Sequence, residues 1–395
     1  MVKKVMLITP MLHQGGFERA CVMTARLLKE KGYEVVIAVF SMEDIAFDVS
    51  GLTVLDLRLK AKSGKIGKII NIFRRCIRLS SLQKKMGIQI SYSFGMTANI
   101  SNALSFGAEK KITACHSFEE IKNKLYMNLI SHRSDKVLCC SKKMADLVCQ
   151  NYSFNNVLPL WNPCDIENVL KQSKAQPDKD IDFFRTGDKV LVSMGREDDV
   201  KGFWHLIRIF KKVNEEIEGT RLAIIGDGSY AEYKRMVKEA GLTDKVLFSG
   251  LKTNPFPYLR ESDIYILTSL SEGLPNALVE SLTLSLPVVS ANCLSGPAEI
   301  LHGNFREAES KTEVFCGDYG ILAPRLSPRK NLSVQTGEDG KIKLEKEEKD
   351  FAGAIIDLLL DKELYERYRE GALPRAKDFS SGQYMEELLN CMEQL

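Results

Sequence analysis

The sequence predicts two doubly wound α/β domains in one chain, and three observations lead there. Short β-branched runs alternate with longer helical patterns along most of the 395 residues, the pattern of βαβ crossovers and parallel sheets covered on both faces. A chain of that length exceeds one ordinary core and suits two of comparable size. A polar stretch at 171–182, KQSKAQPDKDID, interrupts the alternation, which then restarts.

In the first half the expected strands fall at 5–9, 34–40, 53–57, 88–93, 111–115 and 136–139. Helical patterns separate them at 16–30, 65–85, 97–105, 118–131 and 142–152. After the polar stretch come strands at 189–194, 221–225, 245–248, 263–267 and 287–290, with helices near 203–216, 231–240, 276–284 and 351–360. The expected division is a first domain at 1–165, a connection at 166–182 and a second domain at 183–375. Helices at about 376–395 are expected to pack back on the first domain. The charged, Gly-containing stretch 326–350 fits neither sheet and reads as a hairpin or loop insertion.

Composition bounds the class. With 44% hydrophobic and 27% charged residues the chain is globular rather than disordered, and a net charge of +3 gives no general reason to expect nucleic acid as a partner. The ten cysteines are scattered with no C-x-x-C, which favours reduced thiols in a cytoplasmic protein over a disulfide or zinc framework. The opening MVKKVMLITP runs directly into strand-like alternation, so it reads as the first strand rather than a leader. No segment reaches the roughly 20 apolar residues of a membrane-spanning helix.

The residues that carry chemistry begin with SEGLPNALVES. Glu272 and Glu280 flank a turn of Gly273, Leu274, Pro275 and Asn276 that opens a helix. Placed on one continuous helix, the two carboxylates would lie roughly 12 Å apart along the axis, which is awkward for a glycosidase pair. The pattern suits hydrogen bonds to sugar hydroxyls, with helix-start amides facing an anion; a solvated loop Glu and a surface helix Glu fit the spacing equally. In SMGREDDVKGFW, Arg196 and Lys201 flank an acidic turn and Gly202 precedes a helix, as at a diphosphate site. Pairing of those cations with Glu197, Asp198 and Asp199 is the plainer reading. Gly15-Gly16 follows the first strand and Gly226-x-Gly228 follows a later one, neither forming G-x-G-x-x-G, so a hydride-transferring dinucleotide enzyme is poorly supported. His116 sits where a strand gives way to a helix, at the edge that lines α/β clefts.

In this order and spacing the features resemble the retaining glycosyltransferases of family 4, the glycosyl transferases group 1 domain, with the GT-B fold. That fold is two Rossmann-like domains facing a central cleft. The resemblance covers nearly all of the chain, and Glu272-x₇-Glu280 is its most specific part. It implies that Arg196 and Lys201 neutralise the departing donor diphosphate. It also implies that Glu272, with the backbone of Gly273 through Asn276, contacts donor sugar or phosphate, and that Glu280 binds the ribose. Gly16, with Gly15 beside it, and Gly226 would approach the diphosphate, and His116 the donor sugar. The implied reaction moves a hexose or N-acetylhexosamine from a UDP-sugar to a glycan hydroxyl, with retention and without metal or cofactor. The runs NCLSGPAEI and Tyr319-Gly320-Ile321-Leu322 resemble bacterial capsule, O-antigen and exopolysaccharide transferases. Two departures stand out: Asn162-Pro163-Cys164-Asp165 replaces the N-G-V-D turn of many relatives, and the 326–350 insertion does not map onto the family pattern. A GT-B epimerase and a non-catalytic accessory subunit are the alternatives.

From 58 to 85 there are ten Lys or Arg and no Asp or Glu. Ile66, Ile69, Ile70, Phe73 and Ile77 repeat at helical spacing there, beside Lys65, Lys68, Arg75 and Arg78. Such a helix can lie on an anionic membrane surface, or bury its stripe against the sheet and leave its cations solvated. The expected compromise is stripe inward and cations toward lipid phosphate or a polyprenyl-diphosphate-linked acceptor, giving a peripheral protein on the inner face of the cell membrane.

Overall fold

The structure, a computed structural model, describes residues 3–13, 15–43, 45–60, 64–177 and 180–395. Ala61, Lys62 and Ser63 of the basic segment, and Asp178 and Lys179 of the expected connection, lie outside the described residues. The chain divides into two compact units, Met1–Pro163 with Ser381–Leu395, and Cys164–Ser380.

Unit 1 is a seven-stranded parallel sheet in the order β3-β2-β1-β4-β5-β6-β7. Its strands are β1 (Lys4–Thr9), β2 (Glu34–Val39), β3 (Thr53–Asp56), β4 (Ile90–Phe94), β5 (Lys110–Cys115), β6 (Lys136–Cys139) and β7 (Val157–Pro159). Helices α1 (Gly16–Glu30), α2 (Lys65–Met86), α3 (Met96–Ala103), α4 (Phe118–Lys122), α5 (Lys124–Arg133) and α6 (Lys142–Tyr152) connect them. The single helix expected over 118–131 is two, because Asn123 turns the chain into an extended conformation and its side chain caps α5 by accepting the Tyr126 N–H at 3.1 Å.

β1 is apolar without alternation because both faces are covered. Val5 and Leu7 join a core that includes α1 residues Cys21, Ala25 and Leu28. Met6 and Ile8 join a second core with Leu79 of α2 and Ala98 of α3.

Unit 2 repeats the plan in the order β10-β9-β8-β11-β12-β14-β13, all parallel except the last pair. The chain enters it through α7 (Ile166–Gln172), where polar composition suggested only a connection; Asp165 caps that helix by accepting the Asn168 N–H at 3.0 Å. Its strands are β8 (Lys189–Met194), β9 (Thr220–Ile225), β10 (Val246–Gly250), β11 (Ile264–Leu267), β12 (Val288–Ala291), β13 (Phe315–Cys316) and β14 (Ile321–Ala323). Helices α8 (Phe203–Glu216), α9 (Ala231–Glu239), α10 (Phe256–Arg260), α11 (Asn276–Thr283), α12 (Pro297–Leu301), α13 (Phe305–Ser310), α14 (Lys346–Leu360) and α15 (Lys362–Lys377) complete it. The last helix, α16 (Ser381–Glu393), belongs to unit 1, where Tyr384 and Leu388 enter the same core as Val5 and Leu7.

One expectation is reversed. Ile66, Ile69, Ile70, Phe73 and Ile77 of α2 are exposed, not packed on the sheet. The inward face is instead Asn71, Arg75, Cys76, Leu79 and Gln83. Polar groups can face inward because the segment before α2 supplies acceptors: Asn71 donates to Lys60 O at 2.6 Å and Arg75 Nη2 to Leu59 O at 2.8 Å. Arg75 is therefore spent on the fold, its guanidinium 4.0 Å from the Phe40 ring.

Because both faces of β1 are buried, Leu7→Ala and Ile8→Ala should each cost about 2–5 kcal/mol in unfolding experiments. A near-neutral result for either one would mean that its face of the sheet is not packed.

Candidate functional site

In each unit the strand order reverses at one place, between β1 and β4 and between β8 and β11. Ligands of open α/β sheets bind beyond the carboxyl ends of the strands at this switch point. In unit 2 the segments that leave those two strands are the ones carrying the sequence motifs.

The turn after β8 rests directly on the turn after β9. Gly195 N–H donates to Ile225 O at 2.9 Å and Glu197 N–H to Asp227 O at 2.7 Å. A Cβ on Gly226 would lie 1.8 Å from Gly195 O, so only glycine allows this approach. Glu197 accepts the Tyr230 N–H at 2.8 Å, and the Tyr230 hydroxyl donates to Gly195 O at 2.9 Å. Asp198 accepts the Val200 N–H at 3.1 Å. Glu197 and Asp198 therefore hold turns together, and Arg196 lies 3.7 Å from Asp198, its side chain 70% exposed.

Lys201 is directed elsewhere. Its Nζ lies 2.7 Å from Glu272 Oε1, with the two side chains only 25% and 12% exposed. Two anchors set this geometry: Leu270 N–H donates to Val200 O at 2.8 Å, and the Thr268 hydroxyl to Lys201 O at 3.0 Å. Gly202 (φ +62°) then turns the chain into α8; a Cβ there would meet Thr268 O at 2.4 Å. The structure thus brings Lys201 and Glu272 together across the switch point from opposite sides.

Glu272 precedes α11 in a loop, while Glu280 lies within it and is buried. Gly273 O accepts the Ser295 hydroxyl at 2.9 Å, Leu274 is buried, and Pro275 is the cap residue that leads into Asn276. Both carboxylates act on Tyr265 of β11: burial pushes its phenol upward, then Glu272, then Glu280. The buried Cys293 thiol is pushed up by burial and by Glu272, against Lys201 and Arg325. Tyr265, Cys293 and Arg325 therefore belong to this neighbourhood. The sequence signals only Cys293 and Ser295, through NCLSGPAEI; Tyr265 reads as a strand residue and Arg325 as the residue just before the insertion.

In unit 1, Gly15 is extended and Gly16 begins α1, at the carboxyl side of β1. His116 follows β5, its ring 5.8 Å from Phe94 and 6.2 Å from Phe17. Both ring nitrogens are shut off from solvent with no well-aligned partner. Burial lowers the imidazole pKa to about 4, against a raising effect of Asn162. The adjoining cavity, lined by Tyr92, Cys140 and Tyr384 among others, holds about 10 Å³, room for one water molecule. Glu120, which reads in sequence as one more helix carboxylate, is 6% exposed and accepts the His116 N–H at 2.7 Å. Burial raises its pKa to about 7, although the backbone N–H groups of His116, Ser117 and Met96 pull it down.

Two doubly wound sheets in these strand orders match structures of the GT-B fold over the full length of the chain. An Anabaena protein solved with UDP and glucose matches all of this chain and all of its own, with TM-score 0.74 at 16% identity. Residues 175–309 match the family described as glycosyl transferases group 1. A glycosyltransferase of Methanocaldococcus jannaschii is 36% identical over 57% of this chain and 55% of its own length, so the match spans about half of that relative. The N-acetylgalactosamine-N,N'-diacetylbacillosaminyl-diphospho-undecaprenol 4-alpha-N-acetylgalactosaminyltransferase of Campylobacter jejuni is 25% identical over 78% of this chain and 86% of its own. The match to the glycosyl transferases group 1 family thus lies on residues 175–309, within unit 2.

Glu120 and His116 shift stability with pH in opposite senses. Glu120 has a folded pKa of about 7 against 4.5, so its contribution to stability is present at low pH and lost as pH rises from 4.5 to 7. His116, at about 4 against 6.5, works in the opposite direction between those values. Glu120→Gln should therefore melt progressively higher relative to the native chain from pH 4.5 to 7 and hold that gain above it. A melting-temperature difference constant with pH would exclude a buried, raised Glu120.

Proposed function

We propose that the chain transfers a hexose or N-acetylhexosamine from a UDP-sugar to a hydroxyl of a polyprenyl-diphosphate-linked glycan, with retention and without metal, in bacterial surface polysaccharide synthesis. The observation that carries the reading is Lys201 held 2.7 Å from Glu272 across the unit 2 switch point. A lysine that is three-quarters shielded and already oriented can meet negative charge at little reorganisation cost. As the bond from the anomeric carbon to the diphosphate oxygen breaks, its electron pair goes to the departing UDP. The acceptor oxygen forms the new bond on the same face and its proton passes to the leaving phosphate. Lys201 and Arg196 stabilise the charge that develops there, together with the α11 start at Asn276. Glu272 holds Lys201 and takes hydrogen bonds from sugar or leaving group; Glu280 binds ribose. Gly15, Gly16 and Gly226 let the backbone approach the diphosphate, and His116, neutral above its lowered pKa, contacts the sugar.

Two comparisons support the choice of substrates. The Anabaena protein has also been solved with UDP-glucose. The Campylobacter relative is named for a diphospho-undecaprenol-linked substrate. UDP at 100 times its dissociation constant should stabilise the native fold by about 2.7 kcal/mol, a melting shift of several degrees, exceeding GDP and ADP at equal concentration. Lys201→Ala should abolish the shift. No shift with any of the three nucleotides at millimolar concentration would contradict the reading.

Such an acceptor resides in a membrane, and α2 supplies a docking surface for an anionic leaflet. Its exposed stripe, Ile66, Ile69, Ile70, Phe73 and Ile77, is accompanied by exposed Lys68, Arg74 and Arg78. Phe106, 71% exposed, lies close by, its N–H donating to Ser80 at the same helix's far end at 2.9 Å. Apolar insertion and attraction to anionic headgroups together give the two signals that stable peripheral binding needs. The protein should co-sediment with vesicles containing phosphatidylglycerol and be released by salt. Ile69→Glu with Phe73→Glu should abolish this while leaving the UDP shift intact. Co-sedimentation indifferent to both anionic lipid and these substitutions would refute the docking surface.

A further inference from the structure

The insertion at 326–350 forms a strap along α8, the helix that begins at the Lys201 turn. Leu326 and Ile342 are buried. Leu332 and Val334 pack against the unit 2 core. The tip is a tight hairpin in which Gly337 N–H donates to Lys341 O at 2.7 Å and Thr336 bridges Ile342. Arg208 of α8, 3% exposed, fastens the middle: it donates to Ser333 O, to Lys343 O at 2.7 Å and to both Glu348 oxygens at 2.9 and 3.0 Å. His205 Nε2 lies 2.8 Å from Ser327 O and its Nδ1 2.7 Å from Glu348 Oε1. Farther along, Lys341 pairs with Glu216 at the end of α8, at 2.8 Å.

The opposite end of the strap reaches the candidate site. Lys330 Nζ lies 2.8 Å from Asp199 Oδ1 and 2.7 Å from Glu232 Oε2. Asp199 opens the three-residue 3₁₀ turn Asp199–Lys201. Glu232 stands in the first turn of α9, just past the Gly226 turn. One ammonium thus ties together the two strand-to-helix turns that touch at Gly195 and Gly226.

We propose that Lys330 is a positioning residue for the nucleotide diphosphate. The inner side of the 3₁₀ turn is fixed by Leu270 and Thr268, and Lys330 fixes its outer side. It also compensates Asp199 and Glu232, two carboxylates that would otherwise add unopposed negative charge beside a site for a dianion. Arg208 and His205 hold the strap so that Lys330 stays in reach. The inference rests on the donor-site reading above and assigns to the insertion a role in ground-state donor binding rather than in the bond-breaking step.

The test compares the native chain with Lys330→Met, Lys330→Arg and Lys341→Met, which loosens the strap at its far end. UDP affinity is measured by calorimetry, KM and kcat with UDP-sugar, and melting temperature without ligand. Lys330→Met should raise the UDP dissociation constant and the donor KM about fivefold with kcat nearly unchanged. Lys330→Arg should restore both, and Lys341→Met should leave them at native values. Native affinity in Lys330→Met, or equal weakening in Lys341→Met, would overturn the proposal. A native chain that binds no UDP would overturn the donor-site reading itself, so the two failures are told apart.

Discussion

The close approach of two backbone turns governs the rest of unit 2. Where β8 and β9 end, Gly195 and Gly226 lie so near one another that a methyl group on the second has no room. That contact lets Glu197 reach across to cap the start of the next turn at Tyr230, and lets the Tyr230 hydroxyl return to Gly195. With the turn fixed, the 3₁₀ residues after it run toward β11, and Lys201 arrives beside Glu272. A looser turn would leave Lys201 free to pair with the nearby acids, and the cation would be a solvated surface charge of little consequence. The physical cost of the arrangement is backbone crowding; the result is an oriented ammonium group at a switch point.

The two units handle polar groups differently. Around Lys201 and Glu272 the groups are charged and paired, and Tyr265 and Cys293 are kept neutral by burial and by Glu272. Around His116 the surroundings are aromatic, and burial alone sets an uncharged imidazole. An uncharged ring is suited to hydrogen bonds with sugar hydroxyls, whereas fixed cations are suited to phosphate.

Much of this was legible in the sequence because parallel sheets write themselves plainly. Runs such as VMLIT in β1 are apolar throughout since both faces are covered, and βα alternation fixed the class. Glycines at strand ends and Glu272-x₇-Glu280 located the unit 2 loops. What spacing could not supply was pairing at long range. Lys201 and Glu272 are 71 positions apart, and their contact depends on strand order. The same limit hid Tyr265 and Arg325, whose neighbours come from distant segments, whereas Glu120 was hidden because its burial does not show in the sequence. The orientation of α2 was misread for a different reason: a stripe of isoleucines suggests a core, and only Leu59 and Lys60 carbonyls at the preceding segment explain why Asn71 and Arg75 face inward instead. The insertion was opaque because charged residues such as Lys330 and Lys341 look like solvated surface until their partners on the Asp199 turn, α8 and α9 are placed.

The central claim is that a nucleoside diphosphate sits on the unit 2 turns at the switch point. Amide hydrogen exchange of the intact chain, with and without saturating UDP, addresses it most directly. The account predicts slowed exchange in 195–202, 226–231 and 272–277, the turns after β8 and β9 and the loop into α11. Binding accompanied by protection only outside these three segments would contradict it.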